Sequence, residues 1–189
     1  MSLLITGLIL FLGVHSMLIV APGWRDERIA AMGEGPWRGL YSLVSIVGFV
    51  LLVWGYGLAR PEAPVLYEPP IWMKHVTALL MVLAFISLAI YAVPAGRLKP
   101  MLKHPMLVAI KIWALAHLLA NGDLASILLF GAFLVWAVFD RISVKRRAAP
   151  IPAAGPVVND VLAIVAGLVV YALFVWRLHE WLFGVMPLQ

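Results

Sequence analysis

The sequence predicts an all-α protein, a polytopic transmembrane helical bundle with about six spans and both termini on the outer side. Hydrophobic residues make up 64% of its 189 residues, enough for about six runs of 20, the length that an α-helix needs to cross a bilayer. Charged residues make up only 12%, about half the share usual in a soluble domain. These figures exclude a soluble globule, a disordered chain and a collagen-like chain, because too few polar side chains are available to cover a water-exposed surface.

Six apolar segments carry this prediction, and turn residues separate them. The first is interpreted as a retained span, because no basic stretch precedes it and no clear cleavage site follows it. The fourth and fifth are short, and little more than Asn121-Gly122 separates them, which predicts a tight helical hairpin. The sixth is long enough to tilt or to project from the membrane. The predicted limits are 2–21, 39–59, 71–93, 105–120, 122–139 and 158–184.

Basic residues set the predicted orientation. Ten of the 14 Lys and Arg residues fall in the loops after the first, third and fifth segments, and the positive-inside rule makes those loops cytoplasmic and both termini external. The net charge of +5 is therefore assigned to topology and to anionic headgroups, not to nucleic acid. The chain is interpreted as one domain over residues 1–189, with the lipid bilayer as its partner. A homo-oligomer or a larger membrane complex is left open.

Histidines that fall inside apolar segments need a reason, because an ionisable side chain at membrane depth costs at least a few kcal/mol. His15 is in the first segment, and His117 is in the fourth, four residues after Trp113 and hence on the same helix face. Gly7 and Gly13 would let a neighbouring helix or a flat cofactor come close to the first segment. Taken singly, each histidine is explained more readily as a hydrogen-bonded packing residue than as a ligand.

Taken together, the two histidines favour a metal site. Neutral imidazole is the usual axial ligand of haem iron, and helical bundles build haem sites from histidines on facing helices. The sequence has no cysteine, which excludes thiolate metal sites and Fe–S clusters and leaves bis-His haem b as the natural metal option. The segment limits place His15 and His117 about 10 Å apart in depth. His75, His117 and His179, all nearer the outer face, form a rival set of ligands.

Other charged residues in or near the spans have structural interpretations. Asp123 is expected to cap the fifth helix, and Arg177 is expected to pair with Glu180 on one helix face. Lys111 is expected to reach the inner surface or to pair with a carboxylate. None of these residues is assigned chemistry.

Several motifs, in the right order over roughly residues 10–147, resemble the NnrU family. They are Gly13-Val14-His15-Ser16, then Gly33-Glu34 with Arg38, Leu40, Tyr41 and Leu43-Val44-Ser45, then Lys103-His104-Pro105-Met106, the stretch from Ile112 to Asp123, Leu129-Phe130-Gly131 and Asp140-Arg141. The resemblance implies an integral protein of the bacterial inner membrane. It also implies a link to denitrification, through expression of the nitrite and nitric oxide reductases.

The family is similar to plant 15-cis-zeta-carotene isomerase, a haem b membrane enzyme, whose ligand histidines correspond to His15 and His117. The resemblance therefore implies haem b with these two axial ligands. The implied chemistry is redox, isomerase-like or related to nitric oxide, with a small hydrophobic or diatomic ligand acting once one histidine leaves the iron. The motif residues expected around the pocket are Arg38, Tyr41, His104, Trp113 and Asn121.

Two alternatives remain open. The first is a non-catalytic partner that assembles or regulates other membrane complexes, in which the histidines are packing residues. The second is a methyltransferase-like enzyme with a cytosolic pocket near His104, because the wider relatives include membrane methyltransferases of the isoprenylcysteine type. Lys103 stands where those enzymes have Arg, Leu107 stands where they have Tyr, and a matching Glu is missing, which disfavours methyl transfer.

Overall fold

The computed structural model describes residues 1–188, and within that range the protein is helical apart from its loops and one isolated β-bridge between Val65 and Asp123. A 3-10 turn, Arg60–Glu62, follows the third helix, and a π-helical turn, Phe174–Leu178, joins the last two helices. The helices are α1 (Ser2–Val20), α2 (Pro22–Met32), α3 (Glu34–Ala59), α4 (Met73–Ala92), α5 (Leu98–Leu102), α6 (Pro105–Ala120), α7 (Leu124–Arg146), α8 (Val157–Leu173) and α9 (His179–Phe183).

Five helical segments are long and apolar enough to cross a membrane, which confirms the predicted polytopic bundle. They are α1, α3, α4, α7 and the continuous stretch from α8 to α9. The sixth apolar helix, α6, has only 16 residues. At 1.5 Å per residue it rises about 24 Å, less than the hydrocarbon core of about 30 Å.

The helices extend beyond the predicted segments on the basic side. A helix, α2, forms where the sequence predicts a loop, α3 begins at Glu34 rather than at residue 39, and α7 continues to Arg146 rather than ending at residue 139. Apolar residues indicate only the part of a helix that lies in lipid. The helix itself continues into flanking polar residues, because many polar residues also have a high helix propensity. In α2, Pro22 occupies the first turn, and Gly33 ends the helix with φ of 88°.

The five spanning segments and the shorter α6 pack as a row, whose principal contacts run in the order α3, α1, α7, α6, α4 and α8. Successive apolar helices alternate in direction. The connection that contains α2, the connection that contains α5 and the loop between α7 and α8 therefore lie together at one end of the row. This end carries the ten basic residues of the predicted cytoplasmic loops and is called the inner end. Met1 and the end of α9 lie toward the opposite, outer end.

Large apolar side chains cover the outside of the row. A soluble monomer rarely exposes so large a continuous apolar surface, whereas a lipid environment matches it. The structure therefore agrees with the predicted association with a bilayer. On α3 alone the exposed apolar side chains are Leu40, Leu43, Ile46, Val47, Phe49, Val50, Val53, Trp54 and Leu58.

Glycines allow α1 and α3 to touch backbone to backbone. A Cβ added at Gly7, Gly48 or Gly55 would collide with the backbone of the facing helix, a close approach that small residues permit in membrane interfaces. The predicted close approach at Gly7 is confirmed. At Gly13 no helix approaches, because over residues 1–188 no neighbouring atom lies within 4 Å of a Cβ placed there, and the approach of a flat cofactor to this open position stays a prediction.

The inner loop between α4 and α5 is fastened to the start of α8. The carboxylate of Asp160 is buried, with 8% of the residue exposed, and accepts hydrogen bonds from the backbone N–H groups of Arg97 (2.8 Å) and Leu98 (3.0 Å). The side-chain amide of Asn159 donates to the carbonyl of Ala95 at 2.9 Å. Two successive side chains of α8 therefore provide hydrogen-bond partners for backbone groups between the end of α4 and the start of α5, which have no partner within a helix.

The loop after α3 covers the turn between α6 and α7 at the outer end. The N–H groups of Leu66 and Tyr67 donate to the carbonyl of Gly122 at 2.8 and 3.3 Å, and the N–H group of Leu124 donates to the carbonyl of Pro64 at 3.0 Å. The predicted hairpin is confirmed, since only three residues separate α6 from α7. Backbone groups of the turn are thus paired within the protein.

Asp123 caps α7, as predicted, by accepting from the N–H and hydroxyl groups of Ser126 at 2.8 and 2.6 Å. We expect Asp123→Ala to lower the free energy of unfolding by about 2 kcal/mol, because Ser126 is fully buried and its N–H group loses its capping partner. Thermal unfolding in detergent, followed by circular dichroism, measures the change. Asp123→Asn keeps a capping oxygen and should retain most of the stability. Equal losses of stability in Asp123→Ala and Asp123→Asn would show that the negative charge beside Arg60 matters, and not the capping hydrogen bond.

Candidate functional site

His15 lies half-buried on α1 among aromatic side chains. Its ring centroid is 4.3 Å from that of Phe11, 5.3 Å from Tyr41 and 6.2 Å from Trp136. Its Nδ1 lies 2.6 Å from the carbonyl oxygen of Phe11, one turn earlier. Because a carbonyl oxygen can only accept, Nδ1 carries the proton and Nε2 keeps its lone pair. This tautomer is the one that binds a metal through Nε2.

His117 has the same arrangement on α6. Its Nδ1 lies 2.9 Å from the carbonyl oxygen of Trp113. The Trp113 ring lies on the same helix face, as the four-residue spacing predicts, and its centroid is 5.5 Å from that of the imidazole. The imidazole stacks on Phe130 of α7 at 4.6 Å. Within residues 1–188, neither His15 nor His117 makes a side-chain hydrogen bond to another helix.

Aromatic side chains fill the space between the two histidines. Phe11, which packs on His15, contacts Phe133 of α7 with centroids 5.8 Å apart. Phe133 in turn contacts Trp113, which packs on His117, at 5.4 Å. The two imidazoles are therefore joined by a continuous row of aromatic rings.

The two histidines also lie at different depths. Trp136 packs beside His15 and Phe130 packs on His117. These two residues are six positions apart on α7, which corresponds to a rise of about 9 Å. Two imidazole nitrogens that share one metal ion lie about 4 Å apart, twice a bond of about 2 Å. Either imidazole alone could therefore bind a haem iron. In this arrangement the two imidazoles could not bind the same iron.

One buried polar atom beside His15 has no partner. The indole Nε1 of Trp136 is inaccessible to solvent and finds no hydrogen-bond acceptor in the part of the chain that the structure describes. An unpaired buried donor costs about 1–3 kcal/mol. A ligand that brought an acceptor to this point would recover that cost.

A polar network that the sequence did not predict joins the outer ends of α3, α6 and α7. The guanidinium of Arg60 donates to Oδ1 of Asn121 at 3.2 Å and lies 4.0 Å from the carboxylate of Asp123. The hydroxyl groups of Tyr56 and Ser126 are 2.9 Å apart, and Ser126 also donates to Asp123.

Asn121 connects this outer network to the histidine of α6. Its side-chain amide donates to the carbonyl of His117 at 2.9 Å, which satisfies a backbone group at the end of the helix. Arg60 is the member that the sequence could have indicated. It is one of the few basic residues on the predicted outer side and directly follows an apolar segment.

The other predicted pocket residues separate in the structure. Tyr41, Trp113 and Asn121 each lie beside one of the two histidines. Arg38 is 74% exposed and pairs with Glu34 at 2.6 Å. Among the described contacts, none joins Arg38 to either histidine.

His104 lies at the inner end, where it precedes α6. It borders a cavity of about 150 Å³ together with Lys103, Arg141 and Lys145. Burial lowers the pKa of His104, and the positive charge of Arg141 lowers it further. Its imidazole is therefore neutral at pH 7.

The rival set of metal ligands is not assembled. Over residues 1–188 the structure brings together no group of three His, Asp or Glu side chains that could hold a metal ion. The interpretation of His75, His117 and His179 as one site is therefore wrong. The ring of His179 instead lies 2.7 Å from the carbonyl of Val185.

A row of apolar helices with a lipid-facing surface and two aromatic-lined histidines defines a polytopic helical membrane protein. The family model described as NnrU protein matches residues 3–187, and the chain therefore belongs to the NnrU family. The family resemblance drawn from the sequence is thus confirmed. No curated protein and no solved structure matches the chain.

Proposed function

We propose that this NnrU-family protein binds haem b within the membrane, with His15 and His117 as its iron ligands once the aromatic rings packed between them have moved apart. The observation that carries the proposal is the state of the two imidazoles, each of which donates Nδ1–H to its own helix and, over residues 1–188, leaves Nε2 without a partner. A histidine that serves only to join helices is expected to hydrogen-bond across the interface. When bound, haem b would supply one-electron redox chemistry and a site for a diatomic ligand.

The protein's own groups have defined parts in this proposal. The carbonyls of Phe11 and Trp113 fix the orientation of the rings and increase the basicity of Nε2. The aromatic side chains around both rings exclude water and lower the local dielectric. The indole N–H group of Trp136 offers a hydrogen bond to an acceptor beside His15.

A second candidate function is a non-catalytic partner that assembles or regulates other membrane complexes. The specific observation that favours it is the packed row of Phe11, Phe133 and Trp113 between the histidines. Binding of one iron by both imidazoles requires these rings to move apart. If these rings stay packed, the two histidines serve only as packing residues.

We also propose a bacterial inner-membrane location and a role in nitrite or nitric oxide metabolism, or in isomerase-like chemistry. Family membership alone supports this part. Methyl transfer is not proposed. The cations Lys103, Arg141 and Lys145 around His104 create a positive potential that disfavours a sulfonium methyl donor.

Absorption spectra of protein purified from haem-sufficient cells, oxidised and then reduced, test the haem proposal. We expect a Soret band in the wild type. His15→Ala and His117→Ala should each weaken or shift that band, because each removes one axial ligand. Size-exclusion profiles and helical circular dichroism of the same samples report whether each variant has folded.

His75→Ala is the matched control, because His75 is exposed at the start of α4 and, over residues 1–188, is not among the rings that pack on His15 or His117. It should leave the spectrum unchanged. A wild-type protein without a Soret band would contradict haem binding and favour the assembly function. A band that survives both ligand substitutions would place the haem elsewhere.

A further inference from the structure

A cleft at the inner end separates the last turns of α1 and α7. It has a volume of about 180 Å³ and lies beside Pro22, where α2 begins. Its walls are apolar on the membrane side and basic at the mouth. The lining side chains on which the inference rests are Leu18, Ile19, Phe139, Ile142, Arg146 and Arg147.

The lining changes from apolar to cationic along one face of α7. Phe139, Ile142 and Arg146 follow one another at spacings of three and four residues, which places them on the same side of the helix. Seven residues rise about 10 Å. That length spans the distance from the first methylenes of an acyl chain to a headgroup at the membrane surface. Phe139 and Ile142 are themselves 59% and 41% exposed, so the cleft opens toward lipid.

The two arginines at the mouth of the cleft differ in their partners. Arg147 is held in place, since its Nε donates to the Ser143 hydroxyl at 3.2 Å and its guanidinium lies 3.8 Å from the Asp140 carboxylate. Arg146 is exposed and, over residues 1–188, makes no ion pair or side-chain hydrogen bond. One guanidinium is therefore available to an anion at the level where phospholipid phosphates lie.

We propose that this cleft binds an anionic phospholipid of the inner leaflet, with its phosphate on Arg146 and part of one acyl chain against Phe139 and Ile142. Charge complementarity supports this occupant, because the cytoplasmic leaflet carries anionic lipids that attract basic residues. The apolar walls support a lipid over a water-soluble phosphate, which would leave them unfilled. The site is separate from the two histidines and does not depend on the proposed haem.

Native mass spectrometry of protein extracted from nanodiscs tests the proposal. The nanodiscs contain phosphatidylcholine mixed with phosphatidylglycerol or with cardiolipin. We expect the wild type to retain the anionic lipid in preference to phosphatidylcholine. Arg146→Gln should reduce retention about fivefold, the effect of one cation near a membrane surface. Ile142→Trp should reduce retention by filling the cleft while leaving the charge unchanged.

Arg38→Gln is the matched control, because it removes one positive charge from the same end without touching the cleft. It should retain lipid like the wild type. Equal retention of both lipid classes, or equal loss in Arg38→Gln and Arg146→Gln, would overturn the proposal. Displacement of the lipid by inorganic phosphate would identify a soluble-anion site instead. A change of oligomer mass in Ile142→Trp, without loss of lipid, would make the cleft a contact between copies.

Discussion

Gly55→Ala is expected to lower the free energy of unfolding by about 3 kcal/mol or more. The added Cβ would collide with backbone atoms of Leu4 on α1. Backbone atoms cannot move aside by a change of rotamer, as a side chain could. The two helices would have to separate along their whole interface. Leu4, Leu8 and Leu52, which are buried between them, would then lose packing contacts. Thermal unfolding in detergent measures the effect.

Gly57→Ala is the matched control for that prediction. Gly57 lies two residues further along the same helix, and in the described part of the chain no neighbouring atom is within 4 Å of a Cβ placed there. The substitution should be neutral or stabilising by about 0.5–1 kcal/mol, because alanine favours the helix over glycine. Similar destabilisation of both variants would show that helix flexibility, and not contact between α1 and α3, explains the glycine at position 55.

Asp160→Ala is expected to lower the free energy of unfolding by about 3 kcal/mol. The substitution leaves the backbone N–H groups of Arg97 and Leu98 without their acceptor, and each unsatisfied group costs about 1–3 kcal/mol. Hydrogen exchange gives a local readout. The amides of Arg97 and Leu98 should lose protection more than those in the middle of α4.

Two comparisons separate the role of Asp160 from a general effect of charge. Asp160→Asn keeps one acceptor oxygen and should fall between the wild type and Asp160→Ala. Asp26→Ala removes a carboxylate that is exposed and pairs with Arg25 at the same end. It should change stability little, since such surface pairs contribute about 0–1 kcal/mol. A loss of stability in Asp26→Ala as large as in Asp160→Ala would contradict the role assigned to the buried hydrogen bonds.

The spans and the two membrane histidines could be predicted because both depend on local composition. An apolar run of 20 residues identifies a helix in lipid wherever it occurs, and an imidazole inside such a run stands out without any knowledge of its neighbours. The face shared by Trp113 and His117 and the cap at Asp123 follow from helical spacing in the same way. The extra helix α2 was missed because its polar residues give no membrane signal.

The outer network could not be predicted because its members are distant in the chain. Arg60 and Asn121 are 61 residues apart, and Tyr56 and Ser126 are 70 apart. Their contact depends on which helices become neighbours in the row, and composition does not specify that order. The same limit applies to the two glycines of α1. In the sequence Gly7 and Gly13 are equally small, and only the order of the helices shows that a described helix approaches Gly7 and not Gly13.

The lipid around this protein has to adapt to α6. With a rise of about 24 Å, this helix is about 6 Å shorter than an average hydrocarbon core, and the exposed side chain of Leu115 shows that it reaches the surface of the row. A bilayer accommodates such hydrophobic mismatch by local thinning, at a fraction of a kcal/mol per Å. The flank at α6 should therefore be surrounded by compressed lipid. A thinner membrane relieves that compression, so the length of one helix gives the protein a preference among membranes and for neighbours with the same mismatch.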